Sequence, residues 1–167
     1  LELHLDRRDY QIVGSLLEQS GDAWQSVSRL VAVHMGATPD RSWPFTYWQV
    51  LIAALNADPH VGIVVVGAGA DFHPAAAVRV LDLVGRLDLR ETAAAVAIAD
   101  VLVGPDSALL HVAAAVGTPA VGLYGMADPR LRIPFGADQA AVRSPVDCAG
   151  CLHELPAPNN NPVSYTH

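Results

Sequence analysis

The sequence predicts an α/β fold, a Rossmann-like parallel sheet with helices on both faces. Two observations carry this. Short apolar runs alternate with alanine-rich amphipathic stretches, the pattern of strand–helix–strand units. The run Val61–Val66 is apolar throughout instead of alternating, as strands covered on both faces are. With 167 residues, 51% hydrophobic and 16% charged, the chain suits one domain with its own core and is too apolar to be disordered.

The elements follow in order. Asp6–Gln19 is predicted helical, with Ile12, Leu16 and Gln19 on related faces and Gly21 ending it. Leu30–Met35 is the first strong strand, and Gly36–Ser42 a loop of turn residues. Pro44 suits the first position of a helix, where its missing N–H costs nothing. That helix carries Tyr47, Val50, Leu51, Ala54 and Leu55 at helical spacing and stops before Pro59. After the strand Val61–Val66, Gly67–His73 is a loop and Pro74 starts a short helix. Val80–Val84 is a further strand. Asp88 then caps a helix, with Glu91 three positions on in a capping-box pair, that runs to about Asp100. Val101–Val103 is a strand, Gly104–Asp106 a turn and Ser107–Val116 a helix, ended by Gly117 and barred from continuing by Pro119. Ala120–Tyr124 is the last of about five strands. Beyond Gly125 the pattern fades into Pro, Asn and Gly, and Pro156–Pro162 reads as a tail.

Charge and cysteine content narrow the function. Net charge is −7, from 17 acids and 10 bases, and every base is Arg. An acidic domain with scattered Arg is a poor match for duplex nucleic acid, which selects a basic stripe. No apolar run approaches the roughly 20 residues of a membrane span. The chain opens at Leu1 without a secretory signal, and reads as a fragment or a chain whose start is missing. Two cysteines are too few for a disulfide scaffold, so a reducing cytoplasm is the expected setting.

The expected organisation is a leading helix and connector over 1–29, the Rossmann-like domain over 30–147, and a Cys-x-x-Cys segment with a Pro/Asn-rich tail over 148–167. In parallel sheets ligands bind past the carboxyl ends of the strands. Four loops meet there: Gly36–Ser42, Gly67–His73, Gly104–Ser107 and Gly125–Arg130.

The best candidate is Gly104-Pro105-Asp106-Ser107-Ala108-Leu109-Leu110-His111. It joins a strand to a helix, whose first turn offers unpaired N–H groups and the positive end of the dipole to a phosphate. Ser107 adds a hydroxyl, and His111, one turn on, a further donor. The plainer alternative is that Asp106 or Ser107 only caps the helix and His111 only packs. Arg41, after the first strand, can clamp a diphosphate and stabilise it as a leaving group, or pair with Asp40 at the surface. Trp43 reads as a core or cover residue. Gly67-Ala68-Gly69-Ala70-Asp71 has Phe72 where a dinucleotide fingerprint needs its third Gly, leaving a nicotinamide-dependent oxidoreductase as the alternative class. Asp71 can accept from a ribose diol. Cys148, Cys151 and His153 have metal-ligand spacing but supply at most three ligands where closed zinc sites have four, so no metal is expected.

Taken together, these motifs resemble a known family. In order they are Gly36-Ala37-Thr38 with Arg41 and Trp43-Pro44; the Gly67–Asp71 loop; Leu89-Arg90-Glu91-Thr92-Ala93; Val103-Gly104, Asp106-Ser107 and His111; then Gly117-Thr118-Pro119 through Leu123-Tyr124-Gly125 to Asp128-Pro129-Arg130. From Leu30 to Cys151 the chain resembles the carboxyl-terminal half of family 9 glycosyltransferases, the bacterial lipopolysaccharide ADP-heptose heptosyltransferases and their relatives.

The resemblance implies one half of a GT-B fold that binds a nucleotide-sugar donor for an inverting, metal-independent transfer without a cofactor. It places Gly36, Ala37, Thr38 and Arg41 at the donor phosphates, with Arg41 where the family usually has Lys. Asp71 falls at the ribose and Leu87 near the adenine. Asp106, Ser107, Ala108, Leu109 and His111 take the family's Asp-Ser/Thr-Gly-x-x-His positions. Leaving-group stabilisation falls to Arg41 and His111; the general base and the glycolipid or protein acceptor site belong to an amino-terminal domain. The chain alone is then expected not to turn over. The implied location is cytoplasmic, at the inner face of the membrane, with no nucleic-acid partner. Ala108 replaces the usual Gly and Pro105 a polar residue, which leaves a degenerate, non-catalytic half as the third alternative. Relatives that glycosylate autotransporters hold iron in a Cys cluster; Cys148 and Cys151 alone do not reproduce it.

Overall fold

In the computed structural model, residues 2–36, 38, 41–68, 73–136, 138–147 and 149–150 are described. The elements are α1 (Arg7–Glu18), β1 (Arg29–His34), α2 (Phe45–Asn56), β2 (Val61–Val66), β3 (Val80–Asp82), α3 (Leu89–Ala97), β4 (Val101–Pro105), α4 (Ala108–Val116), β5 (Ala120–Tyr124), α5 (Pro129–Arg132) and β6 (Gln139–Arg143). The strands form one parallel sheet in the order β3-β2-β1-β4-β5-β6. Sequence neighbours run outward from β1 to β3, and then the chain returns to lay β4 on the other side of β1. The strand order therefore reverses between β1 and β4, where doubly wound sheets open a crevice at their carboxyl edge.

Each face has its own core. On one side, Ala32, Val64, Val66 and Leu102 meet α1, α3 and α4 through Val13, Ala94, Ala95, Leu110 and Ala113. On the other, Val31, Val33, Ile63 and Val65 meet α2 through Trp48 and Ile52. Alternate residues of β1 and β2 thus face opposite cores, which is why Val61–Val66 is buried at every position.

Several boundaries differ from the sequence reading, each for a visible reason. Pro44 stands just before α2, not inside it. The buried stripe of α2 is Trp48 and Ile52, while Tyr47 and Val50 are exposed, because the indole rather than the smaller side chains anchors the helix. Pro74 opens no helix: residues 73–77 are irregular, and Ala75–Ala77 have too little side chain to hold an apolar face on the sheet. β3 stops at Asp82, whose carboxylate accepts from the Val84 N–H and turns the chain. α3 ends at Ala97; the Asp100 carboxylate accepts from the Leu30 N–H at the base of β1. β4 runs on to Pro105, pairing Gly104 with Gly122 and Pro105 with Leu123, so α4 begins at Ala108 and Ser107 precedes it. The sheet has six strands, not five. β6 is an exposed edge strand of sequence Gln-Ala-Ala-Val-Arg, with no apolar alternation to announce it.

Candidate functional site

The loops after β1 and β4 face each other across the point of reversal. After β4, the Asp106 N–H donates to the Leu123 carbonyl on β5, which fixes Asp106 at the strand edge. Its side chain is buried, and its Oδ2 accepts no hydrogen bond, with Arg41 Nη1 at 3.5 Å from the opposite loop. Arg41 is placed by a turn in which its own N–H and the Ser42 hydroxyl both donate to the Thr38 carbonyl. The ion pair therefore bridges the crevice.

Ser107 is the residue before α4, yet its hydroxyl makes no capping bond and is buried without a partner. Leu109 and Leu110 point into the core and fix the first turn of α4, leaving main-chain N–H groups at its open end. Ala108 and His111 are exposed on that turn. Tyr124, at the end of β5, is fully buried and its hydroxyl also lacks a partner among the described residues. Burial first, and the Asp106 charge second, push its pKa up to about 12. It stays a neutral hydroxyl at any physiological pH. A buried polar group left unsatisfied costs about 1–3 kcal/mol. Asp106, Ser107 and Tyr124 place three such oxygens at the carboxyl ends of β4 and β5.

This arrangement can bind an anion: a guanidinium on one wall, helix amides and a hydroxyl on the other. The helix reading of Ser107 as a simple cap is not met. Gly36 and Thr38 lie in the loop with Arg41, as expected. Leu87 sits apart, in the turn between β3 and α3, partly buried against the first core. Trp43 packs as a cover, edge-on to Tyr47 and Trp48. Ala37, Asp71, Cys148 and Cys151 lie outside the described residues. No group of three or more metal-ligating side chains occurs among the described residues. A separate cleft of about 230 Å³ between α2 and residues 74–77 is lined by Met35, Phe45, Gln49 and Ile52 and has no ionisable lining, so it offers nothing to hold charge.

One residue of the crevice was missed in sequence. His34, the last residue of β1, donates from Nδ1 to the Val66 carbonyl at 3.0 Å. Burial holds its pKa below the usual histidine range, against the pull of the Val66 and Gly36 backbone groups. Its signal was there to be used: a polar ring ending an apolar strand, two residues before a glycine.

Comparison with known proteins decides the family. The sequence matches the family model "Glycosyltransferase family 9 (heptosyltransferase)" over residues 3–160. This chain belongs to glycosyltransferase family 9. It is 34% identical over 130 residues to lipopolysaccharide heptosyltransferase 1 of Salmonella typhimurium, a match covering 72% of this chain and 40% of that protein. The Pseudomonas aeruginosa protein of the same name is 29% identical over 139 residues, covering 81% and 39%. Among solved structures, a family 9 glycosyl transferase from Veillonella parvula superposes with a TM-score of 0.74 at 19% identity, over 86% of this chain and 42% of that one. The Escherichia coli heptosyltransferase WaaC with ADP gives 0.60 at 26% identity, over 72% and 39%. This family 9 chain thus spans about two fifths of the length of the curated relatives it matches. Its sheet is one Rossmann-like half of a GT-B fold. Among its described residues no helix is long and apolar enough to cross a membrane.

Proposed function

We propose that this domain is the donor-binding half of an inverting glycosyltransferase and takes a nucleotide-diphospho-sugar of the ADP-heptose kind. The observation that carries the proposal is the open first turn of α4, facing Arg41 across the β1–β4 crevice, with Ser107 unpartnered between them. The family and the ADP bound to the Escherichia coli relative agree with it. In this reading the diphosphate lies on the Ala108 and Leu109 amides and the Ser107 hydroxyl. Arg41 neutralises the charge that grows on the diphosphate as the sugar leaves, with His111 assisting. Those donors are fixed before the reaction, so little reorganisation is needed at the transition state. Asp71 and Leu87 serve the ribose and base. Transfer needs no metal, because Arg41 and the helix end supply the positive charge. The acceptor, a glycolipid or protein, and the general base belong to a further domain, and the reaction takes place in the cytoplasm at the inner membrane face.

The test is calorimetric titration of the chain with ADP, ADP-heptose, UDP, GDP and NADH, with and without EDTA. Heat with ADP and ADP-heptose that EDTA does not change is expected. No heat with any nucleoside diphosphate sinks the proposal, and heat with NADH alone turns it toward an oxidoreductase.

A further inference from the structure

We propose that His34 is a positioning residue of this crevice: its imidazole holds the loops leaving β1 and β2 at the spacing the donor's diphosphate needs. The inference rests on the donor-binding reading.

The argument begins with the end of the β1–β2 ladder. His34 and Val66 are its last paired residues. There the His34 ring donates to the Val66 carbonyl, at 3.0 Å. A carbonyl only accepts, so the proton on the ring is on Nδ1. Burial works against the charged ring, and the Val66 and Gly36 backbone groups work for it.

Glycines then approach the residue from three strands. A Cβ at Gly36 would lie 3.0 Å from His34 Cε1, at Gly67 3.3 Å from Nδ1, and at Gly104 3.4 Å from His34 Cβ and 3.5 Å from its carbonyl oxygen. Side chains at Gly36 and Gly67 would crowd the ring, whereas at Gly104 the contact is an ordinary one with the His34 Cβ and backbone. One imidazole therefore accounts for two glycines, just beyond the ends of β1 and β2. Both stretches lead toward residues assigned to the donor: Gly36 into the Arg41 loop, Gly67 toward Asp71. Moving the Arg41 wall changes the span between the guanidinium and the α4 amides, and misplacement by about 1 Å can cost on the order of 100-fold.

Substitutions separate this role from its rivals. An Asn amide nitrogen falls near the place of Nδ1, a Gln nitrogen near that of Nε2. The experiment measures ADP and adenosine affinity by calorimetry for the parent chain, His34→Asn, His34→Gln and His34→Ala, together with amide hydrogen exchange at Met35, Gly36 and Gly67. His34→Asn is expected to keep both the parent's ADP affinity and its protection. His34→Gln and His34→Ala are expected to lose about tenfold or more in ADP affinity, to lose distinctly less in adenosine affinity, and to exchange faster at those amides. Retention by Gln with loss in Asn would make Nε2 a ligand contact and overturn the proposal. Unchanged ADP binding in all three variants, or equal losses of ADP and adenosine, would overturn it too. If the parent chain binds no ADP, the donor reading has failed on its own. Exchange then decides whether His34 orders the loops: faster exchange in Ala and Gln but not Asn supports it, and no difference refutes it.

Discussion

Two helices of this domain begin at the same edge of the sheet and begin differently. At α3, Asp88 accepts from the Glu91 N–H and Glu91 accepts from the Asp88 N–H, so the first turn is closed by its own side chains. At α4, Ser107 holds the same position and makes no such bond. A closed turn spends its donors on stability; an open one keeps them for a ligand. The difference is four residue types in a row. Asp-Leu-Arg-Glu supplies the reciprocal pair, and Ser-Ala-Leu-Leu cannot. Asp6 likewise boxes α1 with Asp9 and Asp128 caps α5, while α2, entered through Pro44, has no side-chain cap.

The largest expected effect breaks the open end. Arg41→Ala should cost ADP affinity about 1.5–3 kcal/mol, the range for hydrogen bonds to charged groups, or roughly 10–100-fold. Adenosine affinity should hold, and calorimetry of the two ligands checks this. Equal losses would mean that Arg41 does not touch phosphate. The Asp106 carboxylate, left without Arg41, should also lower the melting temperature.

Next come the two helix starts exchanged in role. Asp88→Ala should cost about 0.5–2 kcal/mol of stability, as cap removal usually does, and leave ADP binding alone. Ser107→Ala should do the reverse: no loss of stability, since no capping bond is lost and a buried unsatisfied hydroxyl is removed, and weaker ADP binding. Denaturant titration and calorimetry on the same two variants decide it. A Ser107→Ala protein as destabilised as Asp88→Ala would show the two turns to be alike.

The smallest effect concerns acid. Asp128 is held down to about 2 from an ordinary 3.8, chiefly by hydrogen bonds from the Arg130 side chain and N–H. A depressed carboxyl contributes stability that is present above its ordinary value and lost as pH falls through its folded one. Stability of the parent should therefore decline between about pH 4 and pH 2, and Asp128→Asn should flatten that limb without changing ADP binding. Thermal melts across the range measure both.

The legible parts of the molecule were those with local causes. The Asp88–Glu91 box, the left-handed Gly117 that ends α4, and the buried run of β2 all follow from side chains a few residues apart. The Asp106–His111 segment was legible as a strand-to-helix turn for the same reason. What failed had distant causes. β4 extends two residues further because β5 lies beside it, and β6 exists because β5 offers an edge, its own residues carrying little preference. Trp48 displaced Tyr47 as the anchor of α2 because the sheet beneath decided which face turned inward. His34 escaped notice because its partners come from three strands at once.

By itself the sequence determined the alternation of elements, the buried run of β2 and the donors available at each helix start. These depend on periodicity and on neighbours along the chain. The tertiary structure alone decided the strand order, and with it that Arg41 and Asp106, 65 positions apart in numbering, face each other at 3.5 Å. The reason is that a crevice belongs to a reversal of strand order, and which strand lies next to which is settled by packing the whole sheet rather than by any one segment.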